Sequence, residues 1–81
     1  MDKKLALIGI IVNSRENVDD LNDILHEYGD YIMGRMGIPY HKQKVSVISI
    51  VVDAPKAVIE ELSKKLEALP YANSNTIYAK E

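Results

Sequence analysis

The sequence predicts an α+β fold of strand–helix–strand–strand–helix–strand order, with two helices on one face of a four-stranded antiparallel sheet. Three observations predict it. Two β-branched apolar runs, Leu5 to Val12 and Val45 to Val52, have the length of buried strands. After each run, apolar residues recur at helical spacing. After each helical stripe the chain turns extended again. The 81 residues therefore divide into two strand–helix–strand halves, the split arrangement of a ferredoxin-like βαββαβ sandwich, in one domain spanning 1–81.

The first run is nearly unbroken and rich in Ile, as expected of a central strand covered on both faces. Asn13 to Asn17 end it, and Ser14 or Asn17 can cap the next helix by accepting from a free backbone N–H. Val18, Leu21, Ile24, Leu25 and Tyr28 then form one apolar stripe. Asp19, Asp20, Asn22, Asp23 and Glu27 take the polar positions, and the early acids suit the helix dipole. Gly29 is expected to stop this helix. A second strand, Tyr31 to Tyr40, carries Gly34, Gly37 and Pro39, which places it at a sheet edge where a bulge and a missing donor are tolerated. His41 to Lys44 turn the chain into the third, central strand. Asp53, Ala54 and Pro55 are expected to open the second helix. Val58, Leu62, Leu66 and Leu69 make its stripe, and Pro70 ends it. The last strand is short, about Asn75 to Ala79.

Composition narrows the function. The chain is 47% hydrophobic and 27% charged, which excludes a disordered segment. It has no Cys, so disulfides, thiolate metal sites and cysteine nucleophiles are excluded. The formal net charge of -2 gives nucleic acid no basic face to bind. No stretch approaches a membrane span. Leu5 to Val12 after two lysines looks like a signal-peptide core, but Asn13 to Glu16 read as a turn into a helix. A cytoplasmic protein is expected.

The candidate chemistry is sparse. His26, beside Glu27, is a metal ligand or pH-sensitive group in one reading and a polar-face residue near a helix C-terminus in the other. His41 sits beside Lys42 and Lys44, which disfavour a further cation. No H-x-H or H-x-x-x-H spacing occurs, so neither a metal nor a cofactor is expected. Asp19, Asp20 and Asp23 lie on an exposed face, where acid–base work has no apolar setting to raise a pKa. No G-x-S-x-G or phosphate-cradling loop is present, and no enzyme is expected. Gly34-Arg35-Met36-Gly37 is the oddest local sequence. Its glycines admit a bend or a close approach. Arg35 can grip a carboxylate as a fork or form a salt bridge between subunits. The turn at Asn13, Ser14 and Asn17 precedes a helix N-terminus, where anions bind or capping alone suffices. The candidate ligand-binding residues are therefore Asn13, Ser14, Asn17, Gly34, Arg35 and Gly37.

Patterning also predicts self-association. In the first strand both alternating sets are apolar, Leu5, Leu7 and Ile11 against Ala6, Ile8, Ile10 and Val12. Helices cover only one face of the sheet. The other face would be a large exposed apolar patch on a small domain, and a second copy is its plainest cover. A homo-oligomer, dimer or tetramer, is expected.

The L-H-E-Y segment at Leu25 to Tyr28, Arg35-x-Gly37-x-Pro39 and the two apolar central strands support a resemblance. The chain resembles the small regulators of iron-only hydrogenase systems, with an ACT-like fold similar to the C-terminal domain of the nickel-responsive repressor. The resemblance implies a homo-oligomeric regulator or sensor, with a small-molecule effector lodged at a turn and subunit boundary. An interaction or assembly factor without a small ligand is the alternative. The repressor's metal ligands do not carry over. Matched through Met36, its histidine pair falls on Gly37 and Pro39, and its Cys falls near Val45; only His26 matches. Its DNA-binding ribbon-helix-helix segment has no counterpart, so no direct contact with nucleic acid is expected.

Overall fold

The computed structural model describes residues 3–13, 18–40 and 42–80. The first apolar run forms strand β1, Lys3–Asn13, and helix α1 follows at Asp19–Glu27. A short 3-10 turn, Gly29–Tyr31, leads to β2, Ile32–Tyr40. Then come β3, Val45–Pro55, helix α2, Lys56–Glu67, and β4, Ala72–Tyr78. The sheet order is β2-β3-β1-β4, and every pairing is antiparallel. The two β-branched runs are the central strands, as their apolar character requires. β2 is an edge, with a register shift between Ile32 and Gly34, so Pro39 needs no second partner strand.

Both helices lie on one face. Ala6, Ile8, Ile10 and Val12 of β1 point into the core, and so do Ile50, Val52 and Ala54 of β3. Leu21 and Leu25 of α1 and Tyr28 at its C-cap close over them, with Ile59, Leu62 and Leu66 of α2. Ile8, Ile50, Ile59, Leu62 and Leu66 are wholly enclosed. The α1 stripe is the expected one. The α2 stripe includes Ile59 beside the expected Leu62 and Leu66, while Val58 is only partly buried.

Element ends differ from expectation for identifiable reasons. Asp53, Ala54 and Pro55 belong to β3, because β1 begins early enough for Leu5, Lys4 and Lys3 to pair with them. Pro55 is the last extended residue, and α2 starts after it. β4 begins at Ala72 rather than Asn75. Its polar residues have weak strand propensity, but the ladder to Val12, Ile11 and Ile10 holds them extended. α2 ends at Glu67, with Ala68 as its cap, before Pro70 is reached. Gly29 does not end α1 through a left-handed conformation. No described glycine has positive φ; α1 closes at Tyr28, whose N–H donates to Ile24 O at 3.2 Å, and continues as the 3-10 turn.

The expected caps Ser14 and Asn17 lie outside the described residues. Val18 holds the N-cap position of α1 and its side chain makes no capping hydrogen bond. A distant residue also reaches this helix start: the Leu21 N–H donates to the Tyr71 hydroxyl at 3.2 Å. The start of α1 is thereby tied to the segment that feeds β4.

Candidate functional site

Two surfaces carry features beyond folding: the helix-free face of the sheet and a cleft between α1 and β2. Register gives the first its layout. Ile38, Val47, Ile11 and Asn73 stand side by side across the four strands. Gly34, Val51, Leu7 and Ile77 form a parallel row. Between them run Met36, Ser49, Gly9 and Asn75. The large apolar members of these rows are 37% to 63% exposed. The middle row is low because Gly9 and Ser49 are small, and it forms a shallow trough of about 470 Å³. A Cβ added at Gly9 or Gly34 meets nothing within 4 Å. Neither glycine is required by packing within the chain, although a glycine inside a strand costs roughly 0.5–1 kcal/mol relative to Ala.

The predicted ligand-binding residues separate in the fold. Gly34 faces the open side in register with Val51, and Asn13 ends β1 opposite Val45. Arg35 and Gly37 are in register with Ile50 and Ile48, on the helix side. The register positions of Asn13 and Arg35 differ by five residues along β3, about 17 Å at strand rise. One chain therefore does not bring Asn13 and Arg35 into a single site. Ser14 and Asn17 lie outside the described residues, as does His41.

Arg35 instead stands across from Asn22 and His26 of α1. Asn22, Leu25, His26, Gly29, Ile32 and Arg35 line a cleft of about 380 Å³ between α1 and the edge strand. Asn22 and His26 are four residues apart, so they share one face of α1. That spacing was legible in sequence, but nothing in the sequence said that this face meets β2. Asp19, Asp20 and Asp23 are exposed and do not line the cleft.

A third cluster clasps the two helices. The Tyr28 hydroxyl donates to Glu61 Oε1. Lys65 Nζ donates to both carboxylate oxygens of Glu27, at 3.2 and 3.1 Å, and stands 5.1 Å from the Tyr28 ring centre. Burial holds the Tyr28 phenol above its ordinary value of 10.0, and the bond to Glu61 pushes the same way. Hydrogen bonds to Tyr28 and to Glu27 raise Lys65 above 10.5. These shifts favour the forms that make the contacts, so the cluster reads as structural.

Among the described residues, no group of three or more His, Cys, Asp or Glu stands together as a metal site. No helix among them is long and apolar enough to cross a membrane.

The decisive observation is a family match over residues 4–76, to the family described as "TM1266-like: Iron-only hydrogenase system regulator, putative". The chain belongs to this family. The match takes in both helices, β2 and β3 whole, and all but the outer ends of β1 and β4. The structure of the uncharacterized protein TM1266 from Thermotoga maritima superposes with a TM-score of 0.93 at 26% sequence identity. The alignment covers 98% of this chain and 100% of that one. A comparison with curated proteins gives no match. The family description is that of a regulator, and the likeness extends over the whole ferredoxin-like domain.

Proposed function

We propose that this chain is a self-associating regulator of an iron-only hydrogenase system, responsive to a small-molecule effector, with its open sheet face covered by a second copy. The observation that carries the reading is that apolar face. β1 and β3 each run for eleven residues, about 36 Å, and four strands span about 19 Å. A face of that size is close to the roughly 800 Å² per partner that standard interfaces bury. A second copy suits it because a two-fold axis makes a patch its own complement. The centre carries no charged residue, while the charged residues of these two strands, Lys3, Lys4 and Asp53, sit at one end. An effector that binds one assembly state better than another would shift the equilibrium between them.

Two measurements test this reading. Sedimentation equilibrium should find a dimer or larger assembly at micromolar concentration, and Ile11→Asp should give a folded monomer. In cells, deletion of the gene should alter the level of iron-only hydrogenase, with wild type but not Ile11→Asp restoring it. A stable wild-type monomer would remove the self-association part, and an unaltered hydrogenase level would remove the regulatory part.

A further inference from the structure

We propose that the cleft between α1 and β2 is a binding site for a small organic carboxylate, with Arg35 holding the charged end. This deepens the effector part of the regulatory reading by naming a site and a ligand class.

Three observations carry it. The cleft holds about 380 Å³, within the range of small-molecule sites. Among the described residues its polar lining consists of Asn22, His26 and Arg35, with no acidic residue, although the chain carries 12 Asp and Glu. Arg35 forms no salt bridge with any described residue. Its guanidinium is thus available, and its planar fork matches the two oxygens of a carboxylate. His26 and Asn22, one turn apart on α1, offer N–H donors from the opposite wall. Leu25 and Ile32 supply the apolar part of the lining, which suits the hydrocarbon portion of an organic acid better than a bare inorganic anion. Gly29 opens the cleft further: a Cβ added there meets nothing within 4 Å.

The test uses the full-length chain at low ionic strength. Backbone and side-chain amide NMR signals are followed during titration with succinate, butyrate and inorganic phosphate, with propylamine as the cationic control. Saturable shifts confined to Asn22, His26, Gly29 and Arg35 are expected with the carboxylates and not with propylamine. Arg35→Gln should weaken carboxylate binding at least about tenfold, roughly 1.4 kcal/mol. Gly29→Leu, whose Cβ would meet nothing within 4 Å, should block the cleft with the fold intact by circular dichroism. No saturable shift up to about 10 mM, where the binding free energy is only about 2.7 kcal/mol, would overturn the assignment. Phosphate binding without carboxylate binding would also overturn it, as would equal carboxylate binding by Arg35→Gln. The cleft is formed by one chain, so these outcomes do not depend on self-association. A chain that assembles yet binds no carboxylate would refute the site and leave the regulatory reading standing.

Discussion

Two tyrosines show how single side chains hold the helices in place. Tyr28 is buried, and its hydroxyl reaches Glu61 on α2 while Lys65 spans from the ring to Glu27. Tyr28→Phe keeps the packing and removes the hydrogen bond. A loss of about 1 kcal/mol in urea unfolding is expected. The same residue sets a pH dependence. Folding raises the phenol above 10.0, so the folded chain holds a proton that the unfolded chain gives up sooner. The associated stability is complete below pH 10 and is lost as pH rises through the folded value. Lys65, raised in the same direction, acts over the same alkaline window. The urea midpoint should therefore fall at alkaline pH, and fall less steeply in Tyr28→Phe. Tyr71 plays a different part. Its hydroxyl accepts from Leu21 N–H at a helix start where the N-cap side chain gives nothing. Tyr71→Phe leaves that donor without its partner and should cost about 1 kcal/mol, in the range of a lost cap. Thermal unfolding of the two Phe variants measures both effects.

At the scale of elements, α2 does most to lock the sheet. It packs three enclosed residues, Ile59, Leu62 and Leu66, against the strands. Its Ser63 also shares a 2.7 Å hydrogen bond with Thr76 of β4. Ile59→Ala should cost 2–5 kcal/mol as the cavity it leaves relaxes only partly, measured by the urea midpoint at constant slope. Val58→Ala, one residue away and only partly buried, should cost less. That contrast checks the direction of the stripe, which the sequence suggested through Val58. β4 illustrates the opposite balance. Ala72 to Asn75 have little strand preference, yet they pair with β1 residue by residue. Polar residues also suit an edge strand, where apolar ones would invite further pairing.

The whole molecule has one sealed face and one open one. The core side encloses no polar side chain among the described residues, whereas the other side presents rows of Leu, Ile, Val and Met to solvent. A domain of this size gains from covering such a face. If a second copy covers it, as proposed, stability depends on protein concentration. The thermal midpoint should therefore rise as wild-type concentration is raised. That of Ile11→Asp should stay constant, because Ile11 is already half exposed within one chain and its replacement removes assembly without opening the core. Differential scanning fluorimetry over a concentration series measures this.

The sequence by itself determined the order of elements, the central place of its two β-branched strands and the edge position of β2. It also determined which stripe of α1 is buried. These are consequences of local periodicity and of Pro and Gly chemistry, which act within a few residues. It determined as well that both sides of β1 are apolar, so that one would be left uncovered. Tertiary structure alone decided the rest, because contacts between distant segments set it. Pairing with Lys3 to Leu5 extended β3 through Pro55, where local preference favoured a helix start. Tyr71, fifty residues from Leu21, accepts from an N–H at the start of α1, a contact that no local pattern announces. The candidate site moved for the same reason. Asn13 and Arg35 looked like parts of one site along the chain, but register sends their side chains to opposite faces. Arg35 meets Asn22 and His26 only because α1 crosses beside β2. A strand residue's face is fixed by its pairing partner, and no local pattern in a short, glycine-broken edge strand specifies that partner.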